Sequence, residues 1–192
     1  MRSPTQWPLR PGATIGILGN GQLGRMLALA AARLGYRTHV YGPDKNSPAE
    51  LVATESTVGA YDNKTALGAF AEAVDVVTFE FAPVPVAAAA FLPERVTVRP
   101  SWRSLEIAQD RIKDKTFFAS IDAPTPPWRP IRNQRDIKIA LADIHTPALL
   151  KTTRFGYDGT GQAKISSADD AEGAWIAIGG NNHKSEQTYA VL

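Results

Sequence analysis

The segment Thr14 to Gly35 constrains the fold more than any other part of the chain. Thr14 to Leu18 is a compact apolar run that ends in Gly19-Asn20-Gly21-Gln22-Leu23-Gly24, and Leu23 to Leu34 repeats Leu, Met and Ala at helical spacing before Gly35. A strand, a tight glycine turn and a helix follow one another here, the opening unit of a parallel α/β sheet. Backbone N–H groups at such a helix N-terminus can face an anion, and the glycines allow close approach of a phosphate and of helix to strand. An acidic residue, Asp44, follows at a distance suited to a ribose hydroxyl, so this motif alone also admits a nicotinamide dinucleotide.

The rest of the front half keeps the alternation. Arg37 to Tyr41 reads as a second strand closed by Gly42-Pro43-Asp44, Thr65 to Ala73 as a helix, and Val74 to Phe79 as a third strand buried on both faces. Pro83 to Leu92 is expected to be helical and Arg95 to Val98 a short strand. These elements predict a doubly wound parallel sheet over residues 14–100 after a loose lead-in, residues 1–13. Beyond Pro100, Ser101 to Ala119 is charged and helical, and the proline-rich run Ala123 to Trp128 is a stiff connector, so residues 101–123 link to a second unit at 124–192. In that unit Gln134 to Ala142 and Asp169 to Ile178 read as helices, and Ala148 to Thr152 and Gln162 to Ile165 as strands, giving a small α+β subdomain.

Composition excludes several classes. The 21 basic and 19 acidic residues nearly cancel and form no basic run, which argues against nucleic acid as a partner. Cysteine is absent, which removes disulfides, thiolate metal sites and a cysteine nucleophile; a cytoplasmic setting is the matching expectation. No stretch has the length and apolarity of a bilayer span. The three histidines, His39, His145 and His183, show no ligand spacing.

Three further segments carry chemistry. Glu80 ends the third predicted strand at the sheet edge where open α/β folds bind ligands; spacing alone favours a carboxylate that caps the next helix or pairs with an arginine. Arg111 and Lys115 lie one helical turn apart and can receive a polyphosphate, or form a solvated face with Asp110 and Asp114. Lys151 ends a strand before Thr152-Thr153-Arg154-Phe155-Gly156-Tyr157-Asp158-Gly159-Thr160-Gly161-Gln162, after which a strand returns. A fixed ammonium beside a glycine loop between two strands suits a lid over phosphates and lacks the Gly-Lys-Ser/Thr ending of a Walker loop.

Taken in order, Gly16 to Met26, Thr78-Phe79-Glu80, Asp110-Arg111 with Lys115, and Lys151 with Gly156 to Gln162 resemble the 5-(carboxyamino)imidazole ribonucleotide synthases of the ATP-grasp family. The resemblance implies a pre-ATP-grasp, Rossmann-like first domain and a small ATP-grasp subdomain, with the family's C-terminal lobe absent from this sequence. It implies that Gln22, Leu23 and Glu80 contact the ribonucleotide. It assigns ATP to Arg111, Lys115, Lys151, Gly156, Tyr157, Asp158, Gly159, Thr160, Gly161 and Gln162, with Tyr157 and Asp158 also placed near the reacting groups. The implied reaction joins bicarbonate to aminoimidazole ribonucleotide through carboxyphosphate at the expense of ATP, in purine biosynthesis, with Mg2+ ligands expected in the missing lobe. A homodimer is the family's implied assembly. Without that lobe, the chain is expected to be incomplete as a catalyst. The alternatives are a non-catalytic nucleotide-binding module and a NAD-binding domain.

Overall fold

The computed structural model describes residues 8–79, 84–154, 156, 159–180 and 189–191. The chain divides into two compact units, Met1–Glu106 and Ile107–Leu192.

In the first unit, β1 (Thr14–Leu18), β2 (Arg37–Gly42), β3 (Glu55–Val58), β4 (Val76–Phe79) and β5 (Thr97–Val98) form one parallel sheet in the order β3-β2-β1-β4-β5. Between them lie α1 (Gln22–Arg33), α2 (Lys64–Ala73) and α3 (Val86–Phe91), the last running into a 3-10 turn at Leu92–Glu94; α4 (Trp102–Ala108) follows β5. The strand that ends at Phe79 is therefore the fourth in sequence, because Glu55–Val58 adds an edge strand absent from the pattern-based reading. It is also shorter at its start: Val74 is the C-cap of α2, and the Asp75 carboxylate accepts a hydrogen bond from the Thr14 N–H at 2.8 Å. α1 turns a face of small residues, Gly24, Ala28 and Ala31, inward, and Ile17, Val40 and Ala49 pack with Ala28. A larger cluster built on Leu67, Phe70, Val77, Ala89, Leu92 and Leu105 joins α2, α3 and α4 with the sheet. Burying each of the Leu, Phe and Val side chains contributes roughly 1.5–3 kcal/mol.

The second unit holds α5 (Arg111–Ser120), β6 (Arg129–Ile131), α6 (Gln134–Ile144), β7 (Ala148–Thr152), β8 (Gln162–Ile165), α7 (Ala171–Ala177) and β9 (Tyr189–Val191). Its strands form an antiparallel sheet in the order β6-β9-β7-β8. The charged helical stretch after Pro100 is two helices, α4 and α5, because the Asp110 carboxylate caps α5 by accepting from the Ile112 and Lys113 N–H groups. Likewise, the last predicted helix is a 3-10 turn, Ala168–Asp170, followed by α7. Asn133 opens α6 through a reciprocal capping box with Asp136. Ile131, Ile137, Leu150, Ile165 and Trp175 are buried together and weld α6 and α7 to the sheet.

Candidate functional sites

The first site lies where the winding of the parallel sheet reverses. The chain leaves β1 toward β2 on one side and comes back to β4 on the other, so the carboxyl ends of β1 and β4 flank a switch point, the usual ligand crevice of open α/β sheets. The glycine turn sits there. Gly19 has φ +111°, and a Cβ at Gly24 would come 2.5 Å from the Gly19 carbonyl oxygen, so both positions need glycine for the turn to meet the helix. Gly21 is the N-cap of α1, with no side-chain cap and no acidic residue in the first turn, leaving the positive helix end available to an anion. Gln22 and Leu23 open the helix and both are exposed, Leu23 to 45%. Glu80, the third residue assigned to this site from sequence, lies outside the described residues.

The sequence pattern gave Asn20 no role, yet it is the most constrained side chain of the turn. It is buried at 5% exposure, its side-chain amide donates to the Asp44 main-chain oxygen at 2.6 Å, and the Asn20 main-chain oxygen accepts from the Ala49 N–H at 3.1 Å. A Cβ at Gly42 would overlap the Asn20 amide. At the ends of β1 and β2, Asn20 thus takes up the space beside Gly42 and is bonded to the segment that includes Ala49.

The second site is in the other unit and is cationic. Arg111 and Lys115 lie on α5, and Lys151 lies on β7 beside β8, paired in register with Gln162. The Arg111 N–H donates to the Thr153 oxygen at 2.9 Å, tying the start of α5 to the end of β7. Lys115 is only 8% exposed, and the buried Arg111 Nε has no hydrogen-bond partner among the described residues. Burial, then the positive charges of Arg111 and Lys115, push the Lys151 ammonium below its ordinary pKa. The charges of Arg111 and Lys115 oppose that of Lys151 until an anion arrives, which is the electrostatic condition for a polyphosphate site.

The glycine loop joins β7 to β8 as a hairpin, closed by the Thr152 N–H donating to the Gly161 oxygen at 2.8 Å. Gly159 and Gly161 have φ +86° and +65°. A Cβ at Gly156 would stand 3.1 Å from both Thr152 Oγ1 and the Thr160 oxygen, and one at Gly161 would collide with Thr152 Oγ1. Thr152 is therefore the post on which the loop is folded, a role that only the packing reveals. Gly156, Gly159, Thr160, Gly161 and Gln162 are all placed at this hairpin, whereas Tyr157 and Asp158 lie outside the described residues. No group of three or more His, Cys, Asp or Glu residues able to hold a metal occurs among the described residues.

Among the described residues no helix is long and apolar enough to cross a membrane. Residues 12–109 match the ribonucleotide synthetase preATP-grasp domain, and residues 116–188 match the ATP-grasp domain. The chain is 46% identical over 164 residues to an N5-carboxyaminoimidazole ribonucleotide synthase of Brucella melitensis, an alignment covering 85% of this chain and 45% of the relative. By fold it is similar to the Staphylococcus aureus N5-carboxyaminoimidazole synthetase complexed with ADP, with a TM-score of 0.85 and 30% identity over 98% of this chain and 49% of that one. It is also similar to the Aspergillus clavatus N5-carboxyaminoimidazole synthase in complex with ADP and 5-aminoimidazole ribonucleotide, with a TM-score of 0.78 and 25% identity over 94% of this chain and 46% of that one. The chain spans less than half the length of these curated and solved relatives. The ordered motifs, the two domain matches and the shared fold agree: the chain belongs to the ATP-grasp family of N5-carboxyaminoimidazole ribonucleotide synthases, whose N-terminal portion it matches.

Proposed function

We propose that this chain provides the ribonucleotide-binding and phosphate-binding parts of an enzyme that carboxylates 5-aminoimidazole ribonucleotide with ATP and bicarbonate. The first unit is read as a Rossmann-like pre-ATP-grasp domain and the second as the small ATP-grasp subdomain. The observation that carries the reading is the group of Arg111, Lys115 and Lys151 beside the glycine hairpin, a partly buried cationic site that depresses the Lys151 pKa. Relatives solved with ADP, and with ADP and 5-aminoimidazole ribonucleotide, support ATP as the polyanion and the aminoimidazole nucleotide as the second ligand.

In this reading the γ-phosphoryl group of ATP passes to a bicarbonate oxygen. The substrate amine then attacks the carbon of the resulting carboxyphosphate, the bond from carbon to the phosphate oxygen breaks, and the amine loses a proton. Such chemistry depends on positioning and on neutralising phosphoryl charge, not on a protein nucleophile. Arg111, Lys115 and Lys151 hold phosphate oxygens, while Gly156 to Gln162 fold over them and exclude water. Gln22, Leu23 and Glu80 contact the ribonucleotide, and Asp158 with Tyr157 orients the amine or takes its proton. Mg2+ would supply neutralisation of phosphoryl charge in this chemistry, held by ligands of the family's C-terminal lobe.

A homodimer in the cytoplasm completes the proposal. The apolar outer face of α1, with Met26 57% exposed, supports pairing, which sedimentation velocity tests. For the ATP site, calorimetric titration of ATP into the chain and into Lys151→Met is the direct test. We expect binding that weakens at least about tenfold on loss of the ammonium. Equal affinities would remove Lys151 from the site.

A further inference from the structure

We propose that Asn20 is a positioning residue of the ribonucleotide site, acting through the turn that presents Gln22 and Leu23; the inference rests on the reading of that turn as the aminoimidazole ribonucleotide site. Asn20 lies between Gly19, whose φ is +111°, and Gly21, the N-cap of α1. A turn with two permissive glycines has many backbone paths open to it, so the path that delivers the first turn of α1 must be fixed by something else.

Four bonds do this. The Gly19 N–H donates to the Tyr41 oxygen at 2.8 Å and the Ala49 N–H to the Asn20 oxygen at 3.1 Å. The Arg25 guanidinium reaches the Pro48 oxygen at 3.3 Å, an exposed and long contact. The fourth, from Asn20 Nδ2 to the Asp44 oxygen at 2.6 Å, is the shortest and the only one made by a buried side chain. It ties the turn to the segment after β2, where the Glu50 carboxylate in turn accepts from the Ser47 N–H at 3.1 Å. The Asn20 amide also lies against Gly42 with no room for a Cβ between them, so the side chain has one place to go. It faces the β2 end of the turn, whereas Gln22 and Leu23 are exposed at the start of α1. Its effect on a ligand therefore runs through backbone placement.

The geometry separates this role from simple packing. Removing the amide opens the space against Gly42, and Gly42→Ala refills that space without restoring a donor to the Asp44 oxygen. The test measures 5-aminoimidazole ribonucleotide affinity, ATP affinity and thermal midpoint for the parent, Asn20→Ala and Asn20→Ala/Gly42→Ala. Asn20→Asp, the same shape without the donor, covers the case in which the alanine variant does not fold. We expect Asn20→Ala and Asn20→Asp to lose ribonucleotide affinity by about tenfold with ATP affinity unchanged. The second substitution should recover thermal midpoint and leave the affinity low. Recovery of affinity together with the midpoint, or an Asn20→Ala variant that binds the ribonucleotide like the parent, overturns the inference alone. A parent chain that binds ATP but not the ribonucleotide overturns the site itself, and this inference with it.

Discussion

Gly161→Ala probes the loop post directly. Gly161 sits at φ +65°, where an L-residue with a Cβ costs roughly 1–2 kcal/mol. The new methyl would also collide with Thr152 Oγ1, whose own N–H closes the hairpin on the Gly161 oxygen at 2.8 Å. Relieving that collision means moving a side chain anchored to the same bond, an overpacking cost of about 1–3 kcal/mol. The two terms together predict a loss of roughly 2–5 kcal/mol, a large share of the stability of a small unit. In a Thr152→Ala background the obstructing oxygen is gone and only the backbone term, about 1–2 kcal/mol, remains. The assay is urea unfolding of the four proteins of the cycle, followed by Trp175, which is buried in the core of the second unit. A Gly161→Ala cost that is the same in both backgrounds would refute the role given to Thr152.

Two other outcomes follow from the charged groups. The Lys151 ammonium is held below its ordinary pKa by burial and by Arg111 and Lys115, so an arriving polyphosphate raises that pKa; ATP binding at alkaline pH below 10.5 should take up protons, detected as a dependence of the calorimetric heat on the buffer, and Lys151→Met should abolish it. His39 is the opposite kind of switch. Burial against Phe70 lowers its pKa below 6.5 and the Glu55 carboxylate only partly offsets this, so the unfolded chain takes a proton first. Stability is then fully present above pH 6.5 and falls as pH drops through the lowered folded pKa; urea midpoints between pH 7 and 5.5 should decline for the parent and flatten for His39→Gln.

The sequence made some elements legible and hid others for physical reasons. β7 and β8 occupy the predicted residues, Ala148–Thr152 and Gln162–Ile165, because each is an apolar-patterned run bounded by proline or glycine. β3 was hidden because Glu55–Val58 is an edge strand with no buried residue, so it carries no apolar signature. β6 and β9 are three residues each and exist through non-local pairing, Arg129–Ile131 with Tyr189–Val191 and the latter also with β7, which no local pattern encodes. The break between α4 and α5 was readable in principle from Asp110, a good N-cap residue directly before Arg111. At the sites, residue type and spacing pointed to Lys151 and the loop glycines, whereas Arg111 and Lys115 read alone as a solvated face and are assigned by the family resemblance; the fold brings all of them to one unit. Asn20 and Thr152 carry no such signal. Their importance lies in what they touch, Gly42 and Asp44 in one case and Gly156 and Gly161 in the other.

The central claim, the ribonucleotide at the glycine turn of α1 and ATP at the cationic hairpin, is tested most directly by backbone amide chemical shifts of the chain titrated separately with 5-aminoimidazole ribonucleotide, ATP and NAD. The account predicts that the ribonucleotide shifts the amides of residues 19–24, that ATP shifts those of residues 111–115 and 151–162, and that NAD shifts neither set. Shifts at residues 19–24 and 42–49 with NAD, and none there with the ribonucleotide, would contradict it.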